Sequence, residues 1–424
     1  MSPEVTAAWI AASASIFTLV GTVIAQIIGF RSTKANTEQQ IKATHDDTAN
    51  TLHHQGEHLD RTLTEQREQL DKTLAEQRRR TLNERFATAA EQLGSDKPAV
   101  RLAGVYAMAG LADDWEENRQ TCVDVLCAYL RMPYEPDPGP DAPESRRLAF
   151  EALREIRHTV IRVITAHLQE GATTSWQGLN FDFTDVAFDG GDFRGASVSS
   201  GTVNFHGARF SGAVYFNRAE FSGGKVNFRE VQFSGGTVNF SEVHFCGCRV
   251  DFRGAQYFGG TVDLSYTRFS GGQVLFGAQF SSGTVNFTEA VFSGGEVLFN
   301  GAEFCGGTVD FSHASFFGGG VDLGYARFSG GEVSFADARF SGTVSFQLDR
   351  FSGGTVDFSR ASFFRGTVSF NLAQFLGSEV DFADARFSGG TVDFSNAGDW
   401  SSPPTFPQTM DPPPLGVKLP QTKC

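Results

Sequence analysis

Residues 236–245 read Gly-Thr-Val-Asn-Phe-Ser-Glu-Val-His-Phe. The same sentence returns as Gly-Thr-Val-Asp-Phe-Ser-His-Ala-Ser-Phe at 307–316 and as Gly-Thr-Val-Asp-Phe-Ser-Arg-Ala-Ser-Phe at 354–363. The unit is V-x-F-x-x-A-x-F plus a connector of Ser, Gly and Thr, and it recurs from Trp176 to Trp400. A period this short means a stacked array, in which each unit buries its apolar face only against its neighbours. In Thr-Val-Asp-Phe the apolar residues alternate with polar ones, so Val and Phe point inward and Thr and Asp outward. In Ala-x-Phe a small residue sits beside a large one, which fills a narrow interior without clash. Glycine in the connector permits tight corners. Coils stacked about 4.8 Å apart set like residues on like. Composition agrees: 42 Phe stand against 7 Tyr and 4 Trp, with 47 Gly. One aromatic type in such excess marks one repeated slot.

The array opens with Phe183, Phe188, Phe193 and Val198, spaced by five, with Val186 and Ala196 two residues before their partners. A small or apolar residue at i−2 and Leu or Phe at i is the pentapeptide-repeat pattern, and residues 176–400 resemble that family. The resemblance implies a right-handed quadrilateral β-helix and, through the membrane-anchored proteins of this type in actinobacteria, a coiled coil and a small helical domain ahead of the repeats. The departure is in the step. After Val203 it becomes five then seven, as from Phe311 to Phe316 and on to Leu323 and Phe328. Two units per coil give four faces, as in the family; one unit per coil gives a thinner, longer rod. Two units per coil are expected.

Outward positions carry whatever specificity the rod has. Between Val and Phe the row includes Asp251, Asp263, Asp310, Asp322, Asp357, Asp381 and Asp393. Between Ala and Phe it includes Arg268, Arg327, Arg339, Arg350 and Arg386. These twelve are the candidate interaction surface, an acidic row suited to a basic partner beside a basic row. The plain alternative is two solvated faces whose exposed charges offset each other, each pair contributing less than about 1 kcal/mol.

Residues 7–30 form an apolar run broken by one strongly polar side chain, Gln26. About 20 such residues span a bilayer as a helix. Met1-Ser-Pro-Glu lacks the basic start of a signal peptide. Arg31 and Lys34 follow the run and place the bulk of the chain in the cytoplasm. In residues 35–81, Thr51-Leu52, Thr62-Leu63 and Thr73-Leu74 recur every eleven residues, a period that suits a nearly straight coiled coil and self-association. The alternative is a solvated helix or spacer, favoured locally by Gly56 and Asp46-Asp47. His54 and His58 lie one turn apart and are left without a metal.

Residues 82–175 switch to ordinary amphipathic helices, with Ser95 or Asp96 as a cap ahead of Pro98 and a Pro-rich loop over 133–143. Expected domains are therefore an anchor (1–34), a stalk (35–81), an all-α domain (82–175), the β-solenoid (176–400) and a Pro-rich tail (401–424). The tail is expected to lie extended outside any sheet, with Trp400 and Phe406 capping the last coil.

Net charge of −14 and a pI near 5.1 disfavour nucleic-acid binding through a basic surface. The six Cys show no disulfide spacing, and Cys246-Gly-Cys248 lacks a second pair for a metal. No motif supplies a cofactor, a metal or a catalytic pair. The expected function is a non-enzymatic, membrane-anchored interaction rod. The alternative is an acidic DNA mimic acting on a DNA-handling protein such as gyrase, which the resemblance implies for some members. Arginine between the acids, and an anchor far from the chromosome, weigh against it.

Overall fold

The computed structural model describes residues 3–407, 413 and 415–421. The chain falls into two compact units, residues 1–81 and 82–424. The first is the N-terminal part of α1 (Pro3–Leu93), a helix that runs without a break through Asp46-Asp47 and Gly56. Every described side chain from Thr6 to Arg61 is exposed, including Trp9, Phe17 and Phe30. Hydroxyls in the apolar run are satisfied internally: Ser15 donates to the Ala11 carbonyl at 2.8 Å and Thr18 to Ala14 at 2.5 Å. Such back-bonding lets Ser and Thr sit in an apolar helix without an orphaned donor. Leu52, Leu59, Leu63, Leu70 and Leu74 are between 43% and 63% exposed, so the stripe is left largely uncovered by the described residues.

In the second unit the end of α1 buries Leu82, Ala89 and Leu93 against α2 (Pro98–Asp114), α3 (Arg119–Arg131) and α4 (Glu144–Leu168). Pro98 opens α2, where its missing N–H costs nothing. The cap differs from expectation: Lys97 holds the N-cap position without a side-chain bond, and the Ser95 hydroxyl accepts from the Lys97 N–H instead.

The helical segment packs into the same compact unit as the repeats. One buried cluster runs from Leu82 to Phe394. The physical reason is the first coil, whose Phe181, Phe183 and Phe188 need a cover. Trp176 is fully buried, stacks on His167 at 3.9 Å and donates to Asp113 at 3.0 Å. Arg157, itself buried, donates to the carbonyls of Leu130 and Ala187 and lies over the Tyr134 ring. Asp189 accepts from Tyr134 at 2.6 Å and meets His158 and Arg154 at 3.0 Å each.

The repeat half is a parallel β-solenoid of about 10 turns. Val226, Val250, Val274 and Val297 are partners in register, so a coil takes 24, 24 and then 23 residues, two units each. Each coil has four short strands. One turn runs through Lys225–Asn227, Gln232–Phe233, Thr237–Asn239 and His244–Cys246, here called the first to fourth faces. Among the described residues the first face is an eleven-stranded sheet and the fourth a nine-stranded one. The second and third share a sheet, because strands such as Arg350–Asp357 run through their corner.

Phenylalanine fills the interior as columns. Phe205, Phe228, Phe252, Phe276 and Phe299 stack at 4.7 to 4.8 Å with nearly parallel rings. Corners are of two kinds. At the Gly-Gly corners, Gly260 has φ +73° and a Cβ there would lie 2.5 Å from the Gly236 carbonyl oxygen, so only glycine fits. At F-x-x-A corners the Ala N–H donates to the Phe carbonyl, as from Ala208 to Phe205 at 2.9 Å, and the third residue has positive φ, the pattern of a type II turn. Thirteen non-glycine residues, Asp185 and Tyr266 among them, hold that place.

The tail differs from expectation. Val417–Lys418 pairs in parallel with Thr391–Asp393, and Asp399 and Thr405 bridge to Gln374 and Asp381. Trp400 and Phe406 pack on Phe375, Phe382 and Phe394. The last coil would otherwise leave unpaired N–H and C=O groups, and the tail supplies partners. Pro412, Pro414 and Cys424 lie outside the described residues.

Candidate interaction surface

With two units per coil, each outward row divides between two faces. Asp251, Asp322 and Asp393 stand on the first face; Asp263, Asp310, Asp357 and Asp381 stand on the third. Arg327 and Arg350 are register partners on the second face. Arg268, Arg339 and Arg386 lie on the fourth. The twelve residues therefore form four separate sets.

The acidic sets are largely committed to the fold. Each of the seven Asp accepts the backbone N–H two residues on, closing an Asx turn at its corner. The bonds reach Arg253 (3.1 Å), Ser265 (3.0 Å), Ser312 (2.8 Å), Gly324 (2.9 Å), Ser359 (2.7 Å), Ala383 (2.8 Å) and Ser395 (2.9 Å). Asn204, Asn227, Asn239 and Asn286 do the same, which explains why Asp and Asn alternate freely in this row: the corner needs an acceptor oxygen, not a charge. Asp251 is buried and held by the Arg253 guanidinium at 2.6 Å. Burial pulls its carboxyl up, but Arg253 outweighs that and holds it below the usual range. The other six are half-buried.

The arginines are exposed. Arg327 pairs with Glu303 at 3.3 Å. Arg268 lines an open hollow of about 580 Å³ with His244, Tyr266 and the Arg218–Glu242 ion pair. Arg339 and Arg386 are in no ion pair among the described residues. They flank Ser362 in register, one coil to each side.

Two thiols face different surroundings. Cys246 is half-buried beside the Ser270 hydroxyl at 3.1 Å, while Cys248 is buried and its thiol pushed up to about 12 by burial. Such a thiol is inert. Asp349, unremarked in the sequence reading, takes the inward place that Ala holds in neighbouring coils. It is wholly buried, accepts from the Ala326 N–H at 2.9 Å and leaves Oδ2 without a partner. Burial drives its carboxyl well above the usual range.

The repeats thus combine four stacked faces, Phe columns and turn-closing acceptors such as Asn227, Asn239, Asp251 and Asp263, twelve residues apart. Residues 216–268 match the family model described as pentapeptide repeats (9 copies). The solenoid carries pentapeptide repeats. No curated protein and no solved structure matches the chain. A pentapeptide-repeat solenoid with a filled interior fits a protein-interaction role, since its variable side chains all lie outward.

Proposed function

We propose that this pentapeptide-repeat protein is a membrane-anchored, non-enzymatic scaffold whose solenoid receives a protein partner. The observation that carries the reading is the contrast in α1. An 18-residue window of mean hydropathy 1.8 has none of its residues buried, and the other described α-helices are already packed into the core. A lipid bilayer is the cover that suits such a helix. Arg31 and Lys34 favour a cytoplasmic solenoid, and the leucine stripe over 52–74 favours pairing with a second copy.

The acidic-mimic alternative gains no support. Its Asp residues close their own corners, stand on two faces and alternate with Asn, so no continuous acidic track runs along the rod. A net charge of −14 likewise speaks against direct nucleic-acid binding.

Proximity labelling tests the reading. A labelling enzyme fused to the full chain should enrich a small protein set from the membrane fraction, and that set should vanish when residues 176–424 are removed. An unchanged set would overturn the rod as the receiving element.

A further inference from the structure

The fourth face carries a second kind of chemistry around Ser362. Arg339 lies one coil to one side of Ser362 and Arg386 one coil to the other. Their Cα atoms are thus two coil spacings, about 9.6 Å, apart. Arg365 occupies the connector on the Ser362 coil, where the repeat elsewhere places Ser or Gly. All three are exposed, and none is in an ion pair among the described residues. The nearest acids, Asp337 and Asp384, stand two residues before Arg339 and Arg386, and Asp337 also feels the Arg386 charge. Asp337 is engaged by Arg360 at 2.8 Å, and Asp384 is the next acid along that corner. At the connector edge Phe317 is 36% exposed and Phe364 half-buried, again where Ser is the rule.

We propose that Arg339, Arg365, Arg386, Phe317 and Phe364 form a docking site for an acidic protein segment bearing an apolar residue. The proposal rests on the interaction-rod reading and names its partner's chemistry. Guanidinium groups take carboxylates in a bidentate fork, and Arg with aromatic residues is the composition that dominates protein interfaces. The charge logic is local: in a chain of net charge −14, this stretch of the fourth face presents three cations, and Asp337 beside them is held by Arg360. A carboxylate run laid along the rod in a polyproline II conformation matches the spacing, since its residues i and i+3 share one side and are about 9.3 Å apart. A nucleic acid fits less well, because stacked bases would gain little from two partly covered rings.

The test uses the full chain in detergent micelles and three fluorescein-labelled probes: a twelve-residue peptide of Glu and Leu, its Lys counterpart, and a twelve-nucleotide oligothymidylate. The Glu peptide should bind saturably and weaken as salt rises from about 50 to 200 mM. The triple variant R339E/R365E/R386E should lose about tenfold in affinity or more. F317S/F364S should lose affinity while keeping the salt dependence. Absence of saturable binding at about 100 μM, undiminished binding by the triple variant, or preference for the oligonucleotide would each overturn the proposal. If the triple variant still captures the same proximity-labelled proteins, the patch fails and the rod reading stands.

Discussion

Residues 7–30 and the solenoid interior are both built from apolar side chains, and they meet opposite fates. In α1, Trp9, Phe17 and Phe30 are between 73% and 79% exposed. In the solenoid, Phe205, Phe228 and Phe252 are 0 to 1% exposed. The difference lies in arrangement, not amount. Alternation of apolar with polar residues lets a strand turn one face inward against copies of itself, so the solenoid is its own solvent. An unbroken apolar run has no polar face and needs an external one.

The comparison can be broken at three places. The largest effect belongs to the anchor: deleting residues 3–34 should move nearly all of the protein from the membrane pellet to the supernatant and leave the β-sheet circular dichroism unchanged. Recovery of the full chain in the soluble fraction would sink the bilayer as the missing cover. Next is the interior. Phe287→Ala opens a cavity in a column whose rings stack at 4.6 Å. It should cost about 3–5 kcal/mol in denaturant unfolding, because coils above and below cannot collapse without breaking register.

The smallest effect has the opposite sign. Asp349→Ala restores the residue that neighbouring coils carry, and Ala326 N–H keeps its bond to Leu323 at 3.0 Å. The variant should be about 1 kcal/mol more stable near neutral pH. The pH dependence follows from the raised carboxyl. Above about pH 4 the unfolded chain has released this proton while the folded chain retains it. Stability therefore falls as pH rises from about 4 toward the folded value, and that slope should be missing in the variant. A variant curve parallel to wild type would show that Asp349 does not titrate in this way. Acids held low, such as Asp251 and Asp393, act in the other direction, supporting the fold above the usual carboxylate range and losing that support in acid.

Much of the solenoid could be read from the chain because each unit repeats one instruction. The inward Val and Phe follow from alternation, and the Gly corners from crowding. The outward row was harder. An Asp between Val and Phe looks like displayed charge, and only the corner geometry shows its oxygen turned back onto the N–H two residues ahead. The positive-φ places held by Asp185, Tyr266 or Leu348 carry no sequence mark, since glycine is not required there. The fourth-face patch needed the register: Arg339 and Arg386 are 47 positions apart in the chain yet flank one serine. Its cheaper signal was the break in pattern at Phe317, Phe364 and Arg365, connector positions that do not follow the rule of their neighbours. The helical cover on the first coil was hidden because an amphipathic face does not say what it will meet.

The strand at Val417–Lys418 decides more than the fate of the tail. Every coil resembles the next, so a bare final coil would accept the opening coil of another molecule as readily as its own successor. Such a rod would lengthen with concentration and seed fibres. By seating a short, lysine-bearing strand on the last rung of the first face, and helices over the first coil, the chain makes its length a property of the gene and not of the solution.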